Sequence, residues 1–187
     1  GADMRITMTY WIHSVLTNYI KEGDSCVDAT MGKGGDTLFL CRMVGKTGLV
    51  TAFDIQEEAL CLTKECLKEA GFAAKLLLEG HEQMGKHFQE ETIQCIMFNL
   101  GYLPGGNHNL ATKPETTIAA IEEGLRLLKI GGIMSICIYS GGDSGFEERD
   151  RVLEYLKSLD ERKYFIAKQE FVNKKNHPPM PVFLIKL

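Results

Sequence analysis

The 187-residue chain is 44% apolar and carries a formal charge of −4 with a pI near 5.8. That length suits one globular domain burying about 70% of its unfolded surface, and the acidic balance excludes a broad basic face for nucleic acid, whose affinity comes from neutralising many phosphates. No stretch approaches the ~18 apolar residues of a membrane span and no signal-peptide pattern opens the chain, so a cytoplasmic protein with no membrane partner is expected.

In chain order, the apolar spacing first predicts an amphipathic helix from Tyr10 to Lys21. A strand follows near 25–29, then a helix at 35–44, a strand at 49–54, a helix at 57–70 and a strand at 74–78. The second half predicts a helix at 81–88, a strand at 93–99, helices at 114–129 and 145–159 flanking a strand at 132–139, and closing strands at 163–172 and 182–187. Strands alternating with helices argue for an α/β fold: a seven-stranded, mostly parallel, doubly wound sheet with helices on both faces. Only "NKKNHPPMP" separates the last two strands, too little for a crossover helix, so an antiparallel edge strand is expected there. Neither a repeat nor a linker divides the chain, which reads as a single domain over 1–187. Six cysteines, at 26, 41, 61, 66, 95 and 137, form no CxxC pair and fall in mostly apolar segments. They read as reduced core thiols rather than disulfides or zinc ligands, and no metal is expected.

In such a sheet ligands bind beyond the carboxyl ends of the strands. The first loop there is "DATMGKGGDT", Asp28 to Thr37, whose Gly32, Gly34 and Gly35 permit a tight turn and close approach to a ligand. It is not a dinucleotide fingerprint, because Thr37 stands where the third glycine would fall. Asp54 ends the second strand in "AFDIQ", 22 residues after Gly32, close to the spacing of a carboxylate that binds ribose hydroxyls. An acidic residue there also caps helices, but with the glycines it favours a nucleoside-containing cofactor. Gly80 and His81, in "EGHEQM", stand where an adenine could lie or where a helix could simply begin.

The fourth strand runs into "NLGYLPGG", which offers the Asn99 amide, free carbonyls and the face of Tyr102 to the same crevice. An amide oxygen and carbonyls converging on one point suit a substrate N–H group, aiming the nitrogen lone pair at an electrophile. A glycine- and proline-punctuated turn with Asn as a cap is the plainer alternative.

The order of elements, with "VDATMGKGGDT", "FDIQ" and "FNLGYLPGG", resembles class I S-adenosylmethionine-dependent methyltransferases, the asparagine loop being similar to the Asn-Pro-Pro-Tyr type of amino-group methyltransferases. The run "FNLGYLPGGNHNLATKPETTIAAI", with "IYSGGDSGFEE" and "NHPP", resembles the bacterial rRNA methylase family, which includes tRNA 5-(aminomethyl)-2-thiouridine methyltransferases. The resemblance implies a Rossmann-like fold and S-adenosyl-L-methionine as cofactor. It implies that Asp28, Gly32, Lys33, Gly34 and Asp36 lie along the methionine end, Asp54 and Gln56 on the ribose and adenosine side, and His81 near the adenine. Family members often carry Asn where Lys33 and Gly35 stand, which leaves a side-chain contact at those positions open.

The implied reaction is methylation of the aminomethyl group of 5-aminomethyl-2-thiouridine at the tRNA wobble position, with Asn99 and Tyr102 as catalytic residues and the tRNA anticodon stem-loop as partner. His108, Lys113, Glu115, Tyr139, Asp143 and Asn176 fall where substrate contacts are expected, although Pro114 and Glu115 also suit a helix start. Arg149, Arg151, Lys174, Lys175 and His177 are candidate phosphate contacts. Asn99 orients an amine but is no general base; Asp143, Glu115, His108 and water stay open as proton acceptors. Other amino-group substrates, rRNA among them, a non-catalytic nucleotide- or RNA-binding domain and association as a homodimer also stay open.

Overall fold

Runs of Val, Ile, Phe and Cys that leave no polar face become the central strands of one sheet. The computed structural model describes residues 5–100, 113–139 and 145–187. Its strands are β1 (Ser25–Asp28), β2 (Leu49–Asp54), β3 (Lys75–Leu78), β4 (Ile93–Leu100), β5 (Leu128–Ile138), β6 (Tyr164–Lys168) and β7 (Met180–Lys186). Their order is β3-β2-β1-β4-β5-β7-β6; the first five are parallel, and β7 runs antiparallel to both its neighbours. The expected antiparallel pair is thus at one edge, with β7 inserted between β5 and the outermost strand β6. From β1 the chain builds outward to β3, then crosses to β4 on the other side, so the carboxyl ends of β1 and β4 flank the switch point of the sheet, where such folds bind ligands.

Helices α1 (Met8–Leu16), α2 (Gly35–Val44), α3 (Glu57–Ala70), α4 (Pro114–Leu127) and α5 (Gly145–Lys157), with a 3-10 helix at His81–Lys86, cover the sheet. Alternation along β4 divides the core: Ile96 and Phe98 pack with Ile121 and Leu125 of α4 and Val152 of α5, whereas Cys95 and Met97 pack with Leu16 of α1 and Leu40 of α2. Both faces of the strand are therefore dry. Helix α4 lies closest at Gly124, where a Cβ would come within 2.7 Å of Met134 Cε and 3.1 Å of Ile96 Cδ1. Thr117 Oγ1 donates to the buried Glu148 carboxylate at 3.1 Å, locking α4 to α5. Lys186 Nζ donates to the Leu125 and Leu128 carbonyls at 2.8 and 3.0 Å, satisfying acceptors that the end of α4 leaves over.

Several boundaries differ from the pattern reading. Helix α1 stops at Leu16 rather than Lys21, because the Thr17 and Asn18 side chains bond back to the His13 and Ser14 carbonyls, an alternative to continuing the helix. Strand β5 begins at Leu128 rather than 132, directly after α4, with a register irregularity against β4 between Ile93 and Cys95. The segment 81–88 forms only a short 3-10 helix, pinned by fully buried Met84. Strand β6 ends at Lys168 rather than 172, since beyond Gln169 the returning strand offers Pro178 and Pro179, which have no N–H to pair. Of the six cysteines, Cys26, Cys41, Cys95 and Cys137 are buried; Cys66 is half-buried, and Cys61 is exposed on α3 rather than in the core. All six are free thiols. Among the described residues no helix is long and apolar enough to cross a membrane.

Overpacking the α4 contact tests the architecture. Gly124→Val should destabilise the protein by about 1–3 kcal/mol, read as a lower urea midpoint at unchanged slope.

Candidate functional site

Strand β1 ends in a carboxylate that cannot reach water. Asp28 is fully buried; its Oδ2 accepts from Thr37 Oγ1 at 2.6 Å and its Oδ1 from the Thr30 N–H at 3.1 Å. Burial first, and the neighbouring Asp36 second, push its carboxyl up to about 7. The loop that follows needs glycine: Gly34 has φ +95, and a Cβ there would meet the Thr63 backbone at 3.0 Å. Gly32 has φ +52 with only the Thr30 carbonyl near its missing Cβ, so the turn is open on that side.

Asp54, at the end of β2, ties this loop down. Its Oδ2 accepts from the Gly32 N–H at 3.2 Å and its Oδ1 from the Gln56 N–H at 2.9 Å, while Thr63 Oγ1 donates to the Gly32 carbonyl at 3.0 Å. Each carboxylate oxygen keeps a lone pair for a further donor, as a ribose diol would supply. Gln56 is itself buried and Lys33 points to solvent. Buried His81 places Nδ1 3.2 Å from the Ala29 carbonyl, with its ring tilted against Phe98 at 5.4 Å. Burial lowers its pKa, so the ring is neutral; a carbonyl only accepts, so Nδ1 carries the proton and Nε2 is left as an acceptor. Glycine turn, strand-end carboxylate and neutral imidazole together fit a nucleoside cofactor.

Across the crevice, the Asn99 N–H donates to Thr30 Oγ1 at 2.7 Å, joining the end of β4 to the loop after β1. The Asn99 side-chain Oδ1 is buried and has no hydrogen-bond partner among the described residues. An unpaired buried carbonyl oxygen costs about 1–3 kcal/mol and calls for an explanation. A small cleft opens at this point, lined by Met8, Asp36, Phe98, Asn99, Cys137 and Tyr139 among others. The Tyr139 hydroxyl lies beside the Asn99 amide, and burial, the larger effect, raises its pKa. Asp36 is held from α1, where His13 Nε2 stands 2.7 Å from Asp36 Oδ1 and the ring stacks on Phe39 at 3.9 Å. Sequence reading missed His13, which stands inside an ordinary amphipathic helix 23 residues from its partner with no local signal to mark it.

The structure therefore gathers Asp28, Gly32, Gly34, Asp36, Asp54, Gln56 and His81 around one crevice, with Asn99 and Tyr139 at its far wall. Tyr102, His108 and Asp143 lie outside the described residues. Lys113 is the exposed residue before α4, and its side chain makes no capping bond. Glu115 is engaged by α5: its carboxylate accepts from Arg151, which lowers its pKa. That pairing also engages Arg151. Asn176 and His177, at φ +64 and +49, sit in the β6–β7 connection, at the crevice end of the sheet because β7 starts opposite the end of β5. Among the described residues no group of three or more His, Cys, Asp or Glu is placed to hold a metal ion.

The family model described as "Putative rRNA methylase" matches residues 50–185. The chain is 35% identical over 185 residues to the chloroplastic tRNA (mnm(5)s(2)U34)-methyltransferase of Arabidopsis thaliana, an alignment covering 93% of this chain and 67% of that one. It superposes on a "putative rRNA-methylase" from Clostridium thermocellum with a TM-score of 0.93 and 41% identity, covering 98% of this chain and 100% of the other. A "putative methyltransferase" from Streptococcus mutans, solved in complex with SAH, gives a TM-score of 0.87 and 35% identity at 98% and 100% coverage.

The raised Asp28 carboxyl has a signed consequence. With a folded value of about 7 against an ordinary 3.8, its contribution to stability is complete below 3.8 and is lost as pH rises through about 7. Asp28→Asn should flatten the fall in urea midpoint across that window; an unchanged slope would mean that Asp28 is already ionised at low pH.

Proposed function

Because this chain belongs to the rRNA methylase family and is an S-adenosylmethionine-dependent methyltransferase, we propose that it methylates the aminomethyl nitrogen of 5-aminomethyl-2-thiouridine at the tRNA wobble position, giving 5-methylaminomethyl-2-thiouridine. The observation that carries this reading is Asn99 Oδ1, a buried acceptor with no donor among the described residues, on a residue that lines the cleft. A substrate N–H completes it and leaves the nitrogen lone pair aimed into the crevice.

In this reading Asp54 and Gln56 hold the ribose and adenosine side of the cofactor and His81 faces the adenine. Asp28, Gly32, Lys33, Gly34 and Asp36 flank the methionine end. When bound, S-adenosylmethionine supplies an electrophilic methyl on its sulfonium sulfur. Tyr139 flanks the target base and Tyr102 is proposed as a second catalytic residue; His108, Lys113, Asp143 and Asn176 are proposed to contact the RNA, and Glu115 acts through Arg151.

An RNA substrate is supported by the exposed Lys174 and Lys175 on the β6–β7 connection, at the crevice end of an otherwise acidic chain. A tRNA is supported by the name of the Arabidopsis relative. A few such contacts suffice for an anticodon loop, whose unstacked bases enter a pocket without opening a duplex. The activity is assigned to a single cytoplasmic domain.

The test combines labelled S-adenosylmethionine with tRNA carrying 5-aminomethyl-2-thiouridine, followed by digestion and mass spectrometry of the nucleosides. One added methyl on the aminomethyl nitrogen is expected. Asp54→Ala should weaken cofactor binding about 10- to 100-fold through loss of charge-assisted hydrogen bonds. Asn99→Ala should leave that binding intact and lower kcat about 100-fold. Methylation of rRNA but not of this tRNA would retain the site and replace the substrate; full activity of Asn99→Ala would remove the asparagine from the mechanism.

A further inference from the structure

A nucleotide whose base enters the Asn99 cleft leaves its neighbours outside, and the strand must be held at those neighbours for the target to stay seated. We propose that the first turns of α1 and the connection between β6 and β7 form one wall beside the cleft that holds single-stranded RNA, with Tyr10 stacking on an unpaired base next to the target and Lys174 and Lys175 meeting the flanking phosphates. The proposal rests on the RNA reading above and adds to it a surface outside the catalytic crevice.

Two contacts bring the wall together. Met8, Thr9 and Ile12 line the same cleft as Asn99 and Tyr139, so the start of α1 forms part of its rim. Trp11, next to Tyr10 in the helix, donates from its indole Nε1 to the side-chain carbonyl of Gln169, just after β6. Gln169 is itself fixed by its backbone N–H, which donates to the Pro181 carbonyl of β7 at 2.9 Å. Helix and connection are thereby joined at the crevice end of the sheet. Thr7 Oγ1 caps the helix by accepting from the Tyr10 N–H at 3.0 Å, which sets the Tyr10 backbone.

The side chains on this wall suit a nucleic-acid strand. Ile12 and Leu16 turn the inner face of α1 into the core, whereas Tyr10 is 57% exposed. An aromatic ring left in water at the rim of the cleft is a stacking surface that accepts any base. On the connection, Val172 is fully exposed and offers a second apolar contact. The segment from Gln169 to Pro179 carries one acid, Glu170, and that acid pairs with Lys168 at 3.3 Å. Lys174 and Lys175 are exposed beyond it, Lys174 with its Nζ 5.9 Å from the centre of the Phe171 ring. Two lysines confined to one loop of a chain with charge −4 suit a few local phosphates rather than a long duplex, whose binding needs many. After them Asn176 and His177 take φ of +64 and +49, a conformation uncommon outside glycine, and the chain returns to β7.

The experiment titrates protein loaded with S-adenosylhomocysteine with the anticodon stem-loop bearing 5-aminomethyl-2-thiouridine, at several salt concentrations, for wild type, Tyr10→Ala, Tyr10→Phe, Lys174→Ala and Lys175→Ala. Cofactor affinity is measured by calorimetry without RNA, and the mass in solution by sedimentation. Tyr10→Ala should weaken stem-loop binding about 10-fold and Tyr10→Phe should restore it, because the ring is what stacks. Each lysine substitution should lower the slope of log affinity against log salt by about 0.7–1. Cofactor affinity should stay unchanged throughout, and a fully paired RNA duplex should not distinguish Tyr10→Ala from wild type. Stem-loop affinity unchanged in Tyr10→Ala, or lost equally in Tyr10→Phe, would overturn the stacking wall, as would unchanged salt slopes. A change in mass for Tyr10→Ala with RNA affinity intact would assign the face to a second copy of the chain and overturn it too. Wild type that shows these dependences but does not methylate the amine would keep the wall and overturn the amine reading; wild type without affinity for the stem-loop would overturn both.

Discussion

Asp54 accepts hydrogen bonds from the backbone N–H groups of Gly32 and Gln56, at 3.2 and 2.9 Å, and thereby joins the glycine turn after β1 to the start of α3. Where parallel strands stop pairing, their N–H groups must find acceptors elsewhere, and here one strand-end carboxylate serves two loops. Thr63 closes the same turn from α3, and Thr30 extends it across to β4 by accepting from the Asn99 N–H. The two halves of the crevice are in this way fixed relative to each other before any ligand arrives.

With the turn's backbone groups paired, two buried polar side chains stand out. Asp28 is held unionised over much of the acidic range by burial and by Asp36, and Asn99 Oδ1 has no donor among the described residues. Each is a cost of about 1–3 kcal/mol, affordable in a protein whose core packs both faces of the sheet, though a large share of a typical 5–15 kcal/mol stability. Such costs concentrate where a ligand will offset them. The charge pattern follows the same logic: acidic groups gather inside the crevice, while Lys174 and Lys175 stand outside it on the β6–β7 connection.

Much of this was legible because local rules and global fold agree. The bounds of α2, α3 and β2 match the periodicity, and Gly71 at φ +80 ends α3 where a left-handed residue is needed. Asp28, Gly32, Asp54 and Asn99 were legible from a single rule, that ligands meet a doubly wound sheet at its strand ends. What stayed hidden depends on contacts between distant segments. His13 meets Asp36 only because α1 packs across the sheet end, Glu148 is buried only because Thr117 faces it, and Arg151 of α5 meets Glu115 of α4. The insertion of β7 beside β5 was hidden too, since pairing a short antiparallel return at an edge does not say which strand lies outside.

The central claim is that Asn99 Oδ1 is completed by an N–H of the substrate. Its most direct test is a double-mutant cycle on binding: wild type and Asn99→Ala, each loaded with S-adenosylhomocysteine, titrated with anticodon stem-loops that carry or lack the aminomethyl nitrogen. A coupling of about 1–2 kcal/mol between the side chain and the nitrogen is predicted, the worth of a hydrogen bond to a buried orphan acceptor. Additive effects, with the two RNAs weakened equally by the substitution, would contradict it.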